Sequence, residues 1–106
     1  MKAHIIGFGH TKFANHKNKD LEDLIVEVTK EALDDSNVDA KDIDEIFLGN
    51  FNEGFVNQGF PSSLVMQNQP DFQFKPIHRL ENACSTGSAA VQAAARAVRS
   101  GEVKRA

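Results

Sequence analysis

The sequence contains one cysteine, Cys84, and neither tryptophan nor tyrosine. A lone cysteine cannot form a disulfide within the chain. This excludes a fold held together by internal cross-links and fits a reducing compartment, so we expect a cytoplasmic protein. The sequence also lacks any run of about 18 apolar residues, so we expect no membrane-spanning helix. These absences favour a globular domain whose stability comes from an apolar core.

A dominant charge of one sign is also missing. The formal net charge is −3, with 12 basic and 15 acidic residues, and the basic residues are dispersed apart from Lys104 and Arg105. This pattern provides no basic surface for nucleic acid, so no nucleic-acid partner is expected. The acidic residues between Asp34 and Glu45 indicate a solvated surface. The four histidines have no metal-ligand spacing such as His-x-x-x-His, so no metal site is expected.

The order of apolar patterns predicts an α/β fold with a mainly parallel sheet, because strands and helices alternate along the chain. Apolar residues at spacings of three and four predict a first helix that begins after Asp20 and ends at Ser36 and Asn37. Asp20 and Asp23 are spaced as a weaker variant of the capping box. Asp39 is expected to cap a single turn before the next strand. The predicted strands cover residues 3–8, 45–50 and 76–82, and the later helices cover 61–69, ended by Pro70, and 88–100, followed by Gly101.

The last residues, 102–106, have the charged beginning of a further strand. We therefore expect residues 1–106 to be one domain at the N-terminal end of a longer protein. A piece that stops where another strand should pair would expose a sheet edge. For this reason we expect residues 1–106 alone to be marginally stable and inactive.

Cys84 is the candidate catalytic residue, because it stands between a predicted strand and a predicted helix. The first amides of a helix have no intrahelical partners, and the helix dipole places partial positive charge there. Both effects stabilise a thiolate and make it a better nucleophile. Residues 85–88 are small and leave room for a bulky thioester. The alternative is an inert cysteine that packs as a small apolar residue.

Three segments carry a resemblance to a known family. Asn82-Ala83-Cys84-Ser85-Thr86-Gly87-Ser88-Ala89-Ala90 resembles the nucleophile segment of the thiolases, especially the sterol-carrier-protein type and its bacterial and archaeal relatives. The opening run from Ile5 to Phe13 is similar to the start of that group, and so is Asp42-Ile43-Asp44 followed by a strand ending in Gly49. The resemblance covers nearly the whole chain and implies the N-terminal part of an αβαβα layered fold.

The resemblance also implies a chemistry. Cys84 would be the nucleophile that takes an acyl group from acyl-CoA, and its backbone N–H would be one donor of the oxyanion hole. The product or substrate would be a 3-ketoacyl-CoA, a compound of lipid metabolism. Coenzyme A would act as a thioester substrate and not as a bound cofactor, and its binding residues in this chain are not indicated. The activating histidine and a second cysteine would come from later sequence, and the full-length protein would be a homodimer or homotetramer.

Two other functions remain open at this point. The chain can belong to a thiolase-like subunit that binds a partner without catalysing, or to a ketosynthase-like condensing enzyme that uses acyl carrier protein. The sequence after Cys84 departs from the Gly-Ser-Gly of degradative and biosynthetic thiolases, which leaves acyl chain length and reaction direction undecided.

Two further sets of residues need an interpretation. His78 precedes Cys84 by six residues, about 20 Å in an extended strand, so we interpret it as structural and not as the base. Phe51, Phe55 and Phe60 lie in a glycine-rich stretch. That stretch is either a binding loop or an aromatic loop packed on its own domain.

Overall fold

The computed structural model describes residues 1–67 and 69–106, and in this part of the chain two parallel strands are flanked by helices. Helix α1 spans Leu21–Ser36, strand β1 spans Ile46–Gly49, strand β2 spans Ile77–Leu80, and helix α2 spans Thr86–Ser100. Short 3-10 helices cover Ala40–Asp42, Pro61–Met66, Pro70–Phe72 and Ala83–Ser85.

The two strands confirm the predicted α/β class with a parallel sheet. Ile46 pairs with Ile77 and Gly49 pairs with Leu80, so both strands run in the same direction. The carboxyl ends of parallel strands lie at one edge of the sheet. That edge leads into residues 50–55 on one side and into the Cys84 turn on the other.

Residues 50–76 connect β1 to β2 and are called the crossover below. The structure of this crossover departs from the prediction. Residues 61–69 were expected to form one helix, but the structure has a 3-10 helix over Pro61–Met66, and Asn68 lies outside the described residues. Pro70, expected to end that helix, instead begins the next 3-10 turn. Proline at the first position of such a turn is tolerated because that N–H would have no partner.

The predicted strand over residues 3–8 is wrong, because this segment lies against α1 and pairs with no strand among the described residues. Gly7 and Gly9 permit the close approach. A Cβ at Gly7 would lie 2.6 Å from Ser36 Cβ, and one at Gly9 would lie 2.5 Å from the carbonyl oxygen of Val28. The N–H of Phe8 donates to Asp35 Oδ2 at 2.9 Å. A carboxylate of α1 therefore takes a hydrogen bond that a neighbouring strand would otherwise accept.

Helix α1 confirms the predicted capping box. The N–H of Asp23 donates to Asp20 Oδ1 at 2.8 Å, and the N–H of Asp20 donates to Asp23 Oδ2 at 3.0 Å. Asn37 ends the helix in the left-handed conformation, with φ of 53°. Asp39 stands before the turn Ala40–Asp42 as expected, but its side chain makes no capping hydrogen bond.

The core lies between α1, the crossover and the sheet. Ile25, Ala40, Val65 and Phe72 are buried, and the crossover supplies two of these four side chains. The partly buried apolar residues around them are Leu21, Leu33, Ile43, Ile46, Leu48, Leu64, Met66 and Ile77. The 3-10 turns of the crossover thus contribute to the core as α1 does.

The residues after α2 are held by Asp44, which precedes β1. Gly101 ends α2 in the left-handed conformation, with φ of 82°, as its position predicted. Asp44 Oδ2 accepts from the N–H groups of Lys104 at 2.8 Å and Arg105 at 3.1 Å, and the N–H of Asp44 donates to the Arg105 carbonyl at 3.0 Å. Residues 102–106 form no strand in the structure. Two of their backbone N–H groups donate instead to the Asp44 carboxylate, just before the start of β1.

This contact is expected to be sensitive to pH. The N–H of Lys104 and then that of Arg105 lower the pKa of the Asp44 carboxyl below its ordinary value. A group with a depressed pKa stabilises the folded state above its unfolded pKa, and the stabilisation is lost as pH falls through the folded pKa. The amide proton shifts of Lys104 and Arg105, followed by NMR, are expected to change together in that acidic range. Asp44→Asn should remove the transition, and a transition that persists in this variant would contradict the assignment.

Candidate active site at Cys84

Cys84 lies where the sequence places it, between a strand and a helix. Strand β2 ends at Leu80, α2 begins at Thr86, and the 3-10 turn Ala83–Ser85 between them carries the cysteine. The Cys84 side chain is exposed and forms no disulfide. A thiol at this junction is accessible to a substrate and stands beside the positive end of the α2 dipole.

The residue before Cys84 has a strained backbone. Ala83 has φ of 45°, in the left-handed region that side chains other than glycine rarely adopt. Such a residue costs of the order of 1–3 kcal/mol and persists only where its surroundings hold it. Here the Glu81 carboxylate accepts from the N–H of Ala83, and the Thr86 hydroxyl donates to its carbonyl at 2.6 Å. The strain fixes the direction in which the chain enters Cys84.

Thr86 connects this turn to the rest of the fold. Thr86 is 7% exposed, and its Oγ1 accepts from the N–H of Asn82 at 2.9 Å while donating to the Ala83 carbonyl. A Cβ at Gly49 would lie 3.1 Å from Thr86 Cγ2, so the glycine allows α2 to approach the end of β1. One buried hydroxyl therefore holds the two residues that precede Cys84, and its methyl group packs at the sheet edge.

The backbone N–H of Cys84 takes no part in the hydrogen bonds that organise the turn. Ser85 and Thr86 donate to the carbonyls of Asn82 and Ala83, and Asn82 and Ala83 donate to side chains. Among the hydrogen bonds of the described residues, none uses the N–H of Cys84. This amide is therefore free to donate to an oxygen of a bound ligand.

Cys84 lines an open cleft of about 480 Å³. The residues that line it are Gly49, Phe51, Phe55, Ala83, Cys84, Thr86 and Gly87. The rings of Phe51 and Phe55 pack against each other with centroids 5.6 Å apart. A Cβ at Gly87 would meet no atom within 4 Å, which leaves the space at the start of α2 open. None of these lining residues carries a formal charge or a histidine ring.

This arrangement of strand, cysteine turn and helix agrees with a comparison over the chain. Residues 3–105 match the family model described as the thiolase N-terminal domain. The chain belongs to the thiolase family. The family resemblance stated from the sequence is thereby confirmed.

Two relatives of this thiolase chain are acetyl-CoA acetyltransferases of archaea. The Methanocaldococcus jannaschii protein is 39% identical over 98 residues, which cover 92% of this chain and 25% of the relative. The Methanothermobacter thermautotrophicus protein is 33% identical over the same coverage of both chains. The thiolase chain thus spans about a quarter of the length of these relatives.

A solved structure supports the fold of the thiolase chain. The chain is similar to the crystal structure of 3-oxoacyl-[acyl-carrier-protein] synthase III from Aquifex aeolicus, with a TM-score of 0.66 and 22% identity. The match covers 82% of this chain and 28% of that one. At this identity the likeness shows a shared thiolase-like fold.

The histidine near Cys84 in the sequence has a structural partner elsewhere. His78 Nε2 lies 2.7 Å from Glu45 Oε1, and its ring stacks on Phe47 with centroids 5.2 Å apart. His78 does not line the Cys84 cleft. These contacts agree with the structural role that the sequence indicated.

A second cleft of the thiolase chain lies apart from the cysteine. It has about 580 Å³ and is lined by residues 10–16 and Leu24. His16 in its wall contacts the Lys12 carbonyl at 2.6 Å. The two clefts share no lining residue. Within the part of the chain that the structure describes, no group of three or more metal-ligating side chains is found.

The described residues 1–67 and 69–106 contain no helix with both the length and the apolar character needed to cross a lipid bilayer.

Sequence reasoning missed part of the site. It singled out Cys84 but treated Thr86 only as a small residue, and it gave Glu81 no role. Threonine near a helix start often bonds to nearby backbone groups, which is the available signal for Thr86. The loop of Phe51 and Phe55, for which a packed alternative was open, contributes to the cleft.

Proposed function

We propose that the full-length protein is an acyl-CoA C-acyltransferase of the thiolase type, with Cys84 as its acyl-carrying nucleophile. The observation that supports this most is the position of an exposed thiol in an apolar cleft, at the start of α2 and with an uncommitted backbone N–H. Membership of the thiolase family supports it independently.

In the proposed reaction the Cys84 thiolate attacks the carbonyl carbon of an acyl-CoA. The carbonyl oxygen becomes an oxyanion, to which the N–H of Cys84 donates. The bond to the coenzyme A sulfur breaks, coenzyme A leaves as a thiolate that takes up a proton, and an acyl-cysteine remains. A carbanion from a second acyl-CoA then attacks this acyl group, a carbon–carbon bond forms, and the Cys84 thiolate leaves. The reverse sequence cleaves a 3-ketoacyl-CoA.

The proton transfers need a base, and the described residues that line the cleft do not supply one. These lining residues include no histidine, lysine or carboxylate. We propose that the base and a second cysteine belong to sequence outside residues 1–106. On this proposal the present chain supplies the nucleophile, one oxyanion donor and part of the acyl site, and alone it is inactive.

Protection of Cys84 by substrate tests the proposal. In the full-length protein, iodoacetamide labelling of Cys84 is measured by peptide mass spectrometry with and without acetyl-CoA. With acetyl-CoA at ten times its half-saturating concentration, labelling should be roughly tenfold slower, because occupied and acylated sites do not react. An acetyl adduct should appear on the peptide that contains Cys84.

Free coenzyme A is the control, because it can occupy the site without forming an acyl-cysteine. Equal labelling with and without acetyl-CoA, together with no acetyl adduct, would remove the case for an acyl-carrying cysteine and favour a non-catalytic subunit. An adduct formed from acetyl-acyl carrier protein but not from acetyl-CoA would instead indicate a ketosynthase-like condensing enzyme.

A further inference from the structure

Two phenylalanines line the same cleft as the candidate nucleophile. Phe51 and Phe55 follow the end of β1, whereas Cys84 follows the end of β2, and the parallel pairing of these strands brings both segments to one sheet edge. The two rings pack on each other, yet their residues remain 42% and 77% exposed. Large apolar surface is thus left uncovered beside the thiol.

The composition of the cleft indicates what can cover that surface. Apart from the Cys84 thiol and the Thr86 hydroxyl, its lining side chains are apolar or absent. The Thr86 hydroxyl is already engaged with Asn82 and Ala83. An acyl group with a carboxylate or amine would lose water there and find no partner, which is costly. An uncharged alkyl chain would cover the rings without such a cost.

We infer that Phe51 and Phe55 form the contact surface for the alkyl part of the acyl group on Cys84, and that they favour uncharged chains longer than acetyl. This inference rests on the acyl transfer proposed above. Each methylene that leaves water against an apolar surface should favour binding by roughly fourfold. The effects of the two residues should be coupled, because their rings pack on each other with centroids 5.6 Å apart.

The test compares acylation of Cys84 by acetyl-, butyryl-, hexanoyl- and succinyl-CoA in the full-length protein. Second-order rates of acyl-adduct formation are measured by mass spectrometry. The wild type should react faster with butyryl- and hexanoyl-CoA than with acetyl-CoA, by roughly fourfold for each added methylene that contacts the rings. Succinyl-CoA should react more slowly than butyryl-CoA.

Phe51→Ala and Phe55→Ala should each reduce the preference for butyryl- over acetyl-CoA by at least threefold. The double variant should lose less than the product of the two single effects, because the rings contact each other. Phe60→Ala is the matched control. Phe60 is 80% exposed in the same loop but does not line the cleft, so this variant should keep the wild-type preference.

This inference would be overturned if the acylation rate of the wild type did not depend on chain length, or if Phe51→Ala, Phe55→Ala and Phe60→Ala all showed the same dependence. The proposed function would then still stand. A wild type whose Cys84 is acylated by none of the thioesters would overturn both. Thermal unfolding of each variant separates a loss of the fold from a loss of the acyl contact.

Discussion

Cys84→Ser is expected to reduce acyl transfer by the full-length protein by about a thousandfold or more, because an alkoxide forms far less readily than a thiolate near neutral pH. The side chains are similar in size, and Cys84 is exposed, so the substitution removes no core packing. Turnover of acetyl-CoA and the acyl adduct on the peptide of residue 84 measure the effect. The loss should be in kcat, with thermal unfolding unchanged.

Ser88→Ala is the control for Cys84→Ser. Ser88 is an exposed residue in the first turns of α2 and does not line the cleft. Its replacement should leave turnover within about twofold of the wild type, as is usual for surface substitutions away from a site. If the Cys84→Ser protein kept a tenth or more of wild-type turnover, the nucleophile would have to be a different residue.

Thr86→Val is expected to have the second largest effect. Valine keeps the shape of threonine but can neither accept from the N–H of Asn82 nor donate to the Ala83 carbonyl. Thr86 is buried, so the N–H of Asn82 would lose its partner without gaining full access to water, whereas the Ala83 carbonyl would keep the backbone N–H of Thr86 as a donor. The free energy of unfolding should fall by about 1–3 kcal/mol, the cost of leaving a buried polar group unpaired. Urea unfolding followed by circular dichroism measures it.

The same variant should slow acylation of Cys84 beyond what its stability explains. Without the Thr86 hydroxyl the left-handed Ala83 can relax, and the thiol and its N–H then lose their relative position. Misplacement of a reacting group by about 1 Å can cost of the order of a hundredfold in rate. We expect a fall in kcat of roughly tenfold to a hundredfold with little change in KM.

Thr86→Ser separates positioning from packing. Serine retains the hydroxyl and loses the methyl group that packs near Gly49. It should restore most of kcat while recovering only part of the stability. A Thr86→Ser protein as slow as Thr86→Val would show that the methyl contact, and not the hydroxyl, positions the turn.

The parts of the fold that the sequence predicted correctly depend on local rules. Helix α1 follows from its apolar spacing and from the Asp20–Asp23 capping box, and the end of α2 follows from Gly101. These signals act between residues a few positions apart, so no knowledge of the tertiary structure is needed.

The errors arose where partners are distant in sequence. Residues 3–8 have the composition of a strand, but a strand exists only beside another strand, and two glycines allow this segment to lie on α1. The turn at Cys84 was located correctly from the strand and helix on either side. Its internal bonds were not predicted, because they depend on the left-handed Ala83, which no pattern of residue types around Cys84 indicates.

The parallel pairing of β1 with β2 also determines when the site can form during folding. The paired strands are joined by the whole crossover, so closing that loop costs chain entropy before the strand contacts repay it. Until β2 reaches β1, the end of β1 cannot contact Thr86, and Phe51 and Phe55 are not beside Cys84. Before this pairing, Cys84 therefore has no cleft beside it. On the proposed function, the pairing of β2 with β1 must precede assembly of the cleft at Cys84, which would limit premature acylation of an incomplete chain.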